Sequence, residues 1–106
     1  MGSLVFITTE SRREALELAR LLTSLKLCAG VNIVPGALSV YWWRGELREK
    51  EECLLFAQVS DANLENFIAA AREAHSYHTP CIISLPIDAG SAPFLDWIER
   101  NGQESA

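Results

Sequence analysis

No Cys-x-x-Cys pair occurs in this chain, and its three cysteines, Cys28, Cys53 and Cys81, stand far apart in apolar surroundings. An odd count with irregular spacing excludes a disulfide framework and a zinc knuckle, leaving reduced, mostly buried thiols. Basic residues are also scarce, nine against fourteen acidic ones, for a net charge of −5. Phosphate backbones and anionic membranes are held by clustered Lys and Arg, so both partner classes are set aside. A modest acidic balance serves solubility and does not by itself indicate bound cations. No apolar run approaches the roughly 20 residues of a spanning helix. Residues 4–7 are too short for a secretory h-region, and no basic segment precedes them. Met1-Gly2 opens a myristoylation pattern, but Phe6 stands where Ser or Thr is required. These readings place a soluble protein in the cytoplasm. Phosphate loop, dinucleotide fingerprint, nucleophile elbow, internal repeat and low-complexity tract are all missing, and no catalytic constellation emerges.

What is present is concentrated in residues 39–52. Tyr41-Trp42-Trp43 runs into Arg44-Gly45, a tight-turn pair, and then into the charged series Arg48-Glu49-Lys50-Glu51-Glu52. Strand neighbours point to opposite faces, so one of Trp42 and Trp43 must face away from the local core. An indole buries roughly 200 Å² of mostly apolar surface. The hairpin therefore reads as an assembly arm. The charged series by itself reads as a solvated strand, with ion pairs between subunits if the chain assembles.

The rest of the chain supplies a single domain, 1–106 with a core of about 4–101. Residues 4–8 form a short buried strand. Ser11 is an N-cap with Glu14 three residues on, the capping-box pattern. Ala15, Leu18, Ala19, Leu22 and Leu25 then keep helical spacing on one face. Residues 28–34 give a second strand, interrupted by a bulge or bend at Pro35-Gly36 and resumed over 38–43. Residues 46–60 return, polar first and then almost wholly apolar, as a central strand requires. Asp61 is expected to cap a helix whose buried stripe is Leu64, Phe67, Ile68, Ala71 and Ala74. Residues 80–87 make the fourth strand. Ser91 and Pro93 start a last helix, with Phe94, Leu95, Trp97 and Ile98 on its buried side. Asn101-Gly102 stops it, and the tail beyond Gly102 is expected to fray.

The order is β-α-β-β-α-β with an extra C-terminal helix and a long hairpin between the second and third strands. This is an α+β, ferredoxin-like antiparallel sheet with both helices on one face. Its other face is bare and apolar, a second argument for a homo-oligomer. Acylphosphatases share the topology, but Thr8-Thr9-Glu10-Ser11 after the first strand has none of the glycine of their anion loop, although Arg12 and Arg13 follow. RNA-recognition modules also share it, yet residues 53–59 carry Phe56 as their one aromatic and the charge has the wrong sign.

Residues 28–36, Cys-Ala-Gly-Val-Asn-Ile-Val-Pro-Gly, followed by Ser39-Val40-Tyr41-Trp42-Trp43-Arg44-Gly45, and later Leu85-Pro86-Ile87 with Phe94-Leu95-Asp96-Trp97-Ile98, resemble the CutA family of divalent-cation-tolerance proteins. The resemblance covers residues 4–101. It implies a non-enzymatic homotrimer of ferredoxin-like subunits, similar to PII signalling proteins, with the hairpins clasping neighbours. It also implies a link to divalent metal tolerance, copper above all, through metal or ligand binding at clefts between subunits.

One family segment is only partly kept. Where members read His-Pro-Tyr-x-x-Pro-Glu, this chain has His75-Ser76-Tyr77-His78-Thr79-Pro80-Cys81. Cys81 replaces a glutamate that belongs to the metal site in some members and disfavours hard cations. His75, His78 and Cys81 remain as candidate ligands for copper or zinc, although the same spacing suits a helix end followed by a bend with no metal. Asn32, Tyr41, Trp42, Trp43, Arg44 and Tyr77 are the candidate cleft and interface residues. Asn32 would bind a ligand amide or satisfy a bent backbone. A PII-like regulator binding a small anion or nucleotide, with Arg44, Arg48 and Lys50 at a subunit edge, is the alternative function.

Overall fold

Buried and half-buried residues alternate without exception along the strand Ser3–Thr9 (β1), so Val5, Ile7 and Thr9 face one side and Leu4, Phe6 and Thr8 the other. The computed structural model describes residues 1–103. After β1 come helix α1 (Arg12–Ser24), strands β2 (Gly30–Trp43) and β3 (Glu46–Val59), a 3-10 turn (Asp61–Asn63), helix α2 (Leu64–Ala74), strand β4 (Ile82–Pro86) and helix α3 (Ala92–Glu99). The strands lie in the order β2-β3-β1-β4 and every pair is antiparallel. This is the expected ferredoxin-like sheet with its additional C-terminal helix and long β2-β3 hairpin. Among the described residues no helix is long and apolar enough to cross a membrane. Of the tail beyond Gly102, expected to fray, Gln103 donates its N–H to the Arg100 carbonyl at 3.1 Å, and residues 104–106 lie outside the described residues.

One sheet face is closed by the helices. Val5 and Ile7 from β1 and Cys53, Leu55, Ala57 and Val59 from β3 pack with Ala15, Leu18, Ala19 and Leu22 of α1 and with Phe67 and Ala71 of α2. The start of α1 is fixed as its sequence implies. The Ser11 hydroxyl accepts the Glu14 N–H at 3.1 Å, while the Glu14 carboxylate accepts the Glu10 N–H at 3.3 Å. The opposite face carries the tilted pair Phe6–Phe56, centroids 5.3 Å apart, with Val34, Ile83 and Leu85 exposed around it.

Several local expectations are corrected. β2 starts at Gly30, where pairing with Gln58 of β3 begins, and Cys28 precedes it, buried, with its thiol 3.5 Å from the Thr23 hydroxyl. Asp61 caps no helix: a 3-10 turn closes through the Asn63 N–H and the Ser60 carbonyl, and the Asp61 carboxylate meets the N-terminal ammonium at 3.0 Å. Leu25 ends α1 as an exposed C-cap, and Ala74 is exposed. β4 is confined to Ile82–Pro86, since residues 75–81 fold back as a loop. The Ser91 side chain makes no cap bond, although its carbonyl accepts the Phe94 and Leu95 N–H groups at 3.0 Å. On α3 Ile98 is fully buried, Leu95 and Trp97 are half-buried, and Phe94 is exposed against the Trp97 ring.

The hairpin is long, 14 residues in each strand. Its turn is Arg44-Gly45, with φ of 50° and 77°. Two successive left-handed residues form the tight turn whose twist matches that of the flanking strands. Pro35-Gly36 is the expected bulge: Val34 pairs with Leu54 and Ala37 with Glu52, so two residues of β2 stand against Cys53 alone. One extra residue inverts the facing of everything after it. Val31 and Ile33 pack with the helix-side core, whereas Ser39, Tyr41 and Trp43 project to the opposite side of the sheet.

Candidate functional site

The inverted register builds a cleft. Ser39 lies opposite Lys50, Tyr41 opposite Arg48 and Trp43 opposite Glu46, on the same side as Glu52. Facing side chains in such pairs have Cβ atoms about 5 Å apart, so these residues form one ladder. The loop after α2 leans over it, bringing Tyr77, His78, Thr79 and Cys81, and Thr8 of β1 closes the base. The resulting cleft holds about 530 Å³.

A hydrogen-bond relay fixes the loop. His75, whose side chain is fully buried, places Nε2 2.7 Å from the Thr8 carbonyl and accepts the Tyr77 N–H on Nδ1 at 3.0 Å. The Nδ1 acceptor role assigns the neutral tautomer with Nε2–H donating to Thr8. The Glu14 carboxylate accepts the Ser76 N–H at 2.9 Å, tying the same loop to α1. Burial alone would raise the Glu14 carboxyl, but hydrogen bonds from Ser76 and from the Glu10 N–H hold it below its ordinary 4.5. Tyr77 then donates its hydroxyl to the buried Glu52 carboxylate at 2.8 Å.

Charge in the cleft is mixed. Lys50 lies 4.5 Å from the Tyr77 ring centroid and 4.0 Å from Glu10, and the neighbouring Tyr77 hydroxyl raises its pKa, keeping the ammonium charged. Burial raises the Tyr77 phenol, and the Glu52 carboxylate adds to the effect. Burial likewise pushes the Cys81 thiol up, Glu52 reinforcing it, against a partly offsetting bond to Thr8. Cys81 is therefore a neutral thiol near pH 7 rather than a thiolate.

The residues singled out from sequence separate into groups. Tyr41, Trp43, Tyr77, His78 and Cys81 line the cleft. His75 stands behind it with both ring nitrogens already engaged, so it positions Tyr77 and has no nitrogen free for a metal in this arrangement. Among the described residues of one chain, no group of three His, Cys, Asp or Glu side chains is arranged to hold a metal ion. Asn32 lies away from the cleft and accepts from Gln58 Nε2 at 2.8 Å. Trp42 is on the outer side of the hairpin and 72% exposed, beside Leu38, Val40 and Leu47. Arg44 sits over the Trp43 ring at 5.8 Å, at the hairpin tip. Sequence reasoning missed the joining of Glu52 to Tyr77 and the place of Thr8, Ser39 and Thr79. A usable signal was present: Arg48, Lys50 and Glu52 are spaced by two and share one strand face.

Fold and cleft together define a ferredoxin-like βαββαβ domain with a projecting hairpin and a side-chain-lined cleft at its root. The family model described as CutA1 divalent ion tolerance protein matches residues 3–101, and the chain belongs to this family. It is 36% identical over 101 residues to the rice protein "Protein CutA 1, chloroplastic", covering 95% of this chain and 57% of the rice protein's length. Among solved structures it is similar to the divalent cation tolerance protein of Thermus thermophilus, at 36% identity and TM-score 0.91, covering 97% of this chain and 100% of that one. The Archaeoglobus fulgidus protein titled periplasmic divalent cation tolerance protein CutA is equally similar in shape, with TM-score 0.91 and 34% identity over 97% of this chain and 100% of that one.

Proposed function

We propose that this chain is a non-enzymatic, cytoplasmic homotrimer serving divalent metal tolerance, with its binding chemistry at clefts between subunits. The observation that carries the assembly is the outer ridge of the hairpin. Leu38 is 84% exposed, Trp42 72%, and Val40 and Leu47 more than half, all on one side of a projecting arm. An apolar ridge of this kind, together with the bare sheet face around Phe6 and Phe56, is what a neighbouring copy covers. In a trimer the root of each arm becomes the wall of an intersubunit cleft. His78 and Cys81 are the side chains of the expected soft-metal set that line it, and copper or zinc bound there would need further ligands from the neighbouring subunit. His75 is assigned the positioning role its hydrogen bonds define.

Titration of Cu(I), Cu(II) and Zn(II) into the wild-type protein and into His78→Ala/Cys81→Ser tests the metal reading. Loss of the tightest site in the double variant is expected, and unchanged stoichiometry and affinity would remove it. Light scattering on the same material tests the trimer.

The second reading, a PII-like regulator that takes a small anion and signals to a protein partner, is favoured by one observation. Arg48 and Lys50 both line the cleft of a chain whose net charge is −5. Thermal-shift measurements with phosphate and nucleotides test it, because a ligand specific for the folded state raises the midpoint with concentration.

A further inference from the structure

The cleft combines two features that neither metal binding nor a generic anion requires together. Its cations stand on one strand face two residues apart, Arg48 opposite Tyr41 and Lys50 opposite Ser39, against Glu52 as the one carboxylate in the lining. Its remaining large walls are aromatic: Tyr41 and Trp43 from β2 and Tyr77 from the loop after α2. Glu52 is held on the cleft wall with its Oε2 accepting the Tyr77 hydroxyl at 2.8 Å, and the two cations outnumber this one carboxylate in the lining. Arg48 makes one weak, exposed contact, 3.4 Å to Glu46, while Lys50 lies 4.0 Å from Glu10 and 4.5 Å from the Tyr77 ring centroid. Exposed pairs of this length contribute little and are readily exchanged for a better partner. A guanidinium and an ammonium side by side match a carboxylate, the first by paired N–H donors and the second as a point charge. Flat rings lining the same space favour a flat ring on the ligand, whose apolar faces are removed from water against theirs.

We propose that the cleft binds a small aromatic carboxylate, with Arg48 and Lys50 holding the carboxylate and Tyr41, Trp43 and Tyr77 enclosing the ring. The inference rests on the anion-binding reading of this same cleft and names the class of anion. A volume of about 530 Å³ accommodates a one- or two-ring acid, and a neighbouring subunit closing the open side would enclose it further.

Isothermal titration of the assembled protein with benzoate tests it, with benzamide as the neutral ring, acetate as the ringless carboxylate and inorganic phosphate as the ringless polyanion. Benzoate is expected to bind saturably and more tightly than each control, with quenching of Trp43 fluorescence. Trp43→Phe keeps an aromatic wall and should lose the fluorescence change while retaining the binding heat. Arg48→Gln and Lys50→Gln should each weaken benzoate roughly tenfold, the usual effect of losing one charge-assisted hydrogen bond. Arg48 is exposed and Lys50 half-buried, and circular dichroism checks that each variant is folded. Binding of phosphate without benzoate would overturn the aromatic inference and leave the anion reading standing. Absence of heat from every anion would overturn both. Benzamide binding as tightly as benzoate, or unchanged affinity in the two Gln variants, would overturn the assigned role of Arg48 and Lys50 and with it the proposal.

Discussion

The Tyr77 hydroxyl donates to the Glu52 carboxylate across 2.8 Å, linking the loop that follows α2 to the root of the long hairpin. Two segments 25 residues apart in sequence thereby become the two walls of one cleft. Tyr77→Phe removes the donor and leaves a buried carboxylate short of a partner. The expected loss is about 1–2 kcal/mol of stability, read from the urea midpoint at unchanged slope. An unchanged midpoint would mean that Glu52 finds water or Lys50 equally well.

Glu14 links pH to the same loop. Its carboxyl lies below the ordinary 4.5 in the folded chain, so the unfolded state binds a proton more readily than the folded one. The stabilisation is fully present above about pH 4.5 and is lost as pH falls through the depressed folded value. The stability difference between wild type and Glu14→Gln should accordingly be constant from pH 7 to about 5 and shrink in more acidic solution. A difference that stays flat down to pH 3 would show that the Ser76 and Glu10 bonds do not favour the charged form.

Reactivity at Cys81 follows from its surroundings. Burial and the Glu52 carboxylate raise the thiol above its ordinary 9.0, so alkylation by iodoacetamide at pH 8 should be slower than for free cysteine. Glu52→Gln removes one of the two causes and should speed the reaction. Equal rates for wild type, variant and free cysteine would contradict the assignment.

The hairpin tip offers a purely conformational test. Gly45 has φ of 77°, and nothing lies within 4 Å of a Cβ added there. Gly45→Ala should therefore destabilise by about 1 kcal/mol through backbone strain alone. A loss several times larger would show that the tip is packed against another subunit.

Assembly gives the largest expected effect. A trimer scatters light as about three times the 11.7 kDa chain. Leu38→Ala/Trp42→Ala removes the two most exposed apolar side chains of the outer ridge. The double variant should dissociate at micromolar concentration, while circular dichroism remains close to that of wild type. A trimer that persists unchanged would locate the contact elsewhere, on the sheet face of Phe6 and Phe56.

Much of the chain was legible because its signals are local. Short apolar runs marked β1 and the second half of β3, a period of 3.6 identified most of the buried face of α1 and α2, and Ser11 with Glu14 marked the helix start. The less successful readings depended on partners distant in sequence. Asp61 has the residue type of a cap, but the N-terminal ammonium reaches it first and the chain takes a 3-10 turn. Phe94 has the spacing of a core residue on a short helix that buries little beyond Ile98. His75, His78 and Cys81 have a ligand-like spacing, yet the Thr8 carbonyl and the Tyr77 N–H occupy both nitrogens of His75. Spacing shows which side chains are near in sequence, not which backbone groups already hold them.

The sequence by itself determined the order of elements, the family, the turn at Arg44-Gly45 and the presence of a bulge at Pro35-Gly36, since each is written in neighbouring residues. Tertiary structure decided which tryptophan faces the cleft. The single extra residue opposite Cys53 inverts the register, so Trp43 lines the cleft at 40% exposure and Trp42 stands outside at 72%. It also decided that Arg48, Lys50 and Glu52, a solvated run in sequence, form one cleft wall beneath Tyr77. The reason is physical: facing in a strand alternates with every residue, so the side on which a residue lies depends on pairing across the sheet.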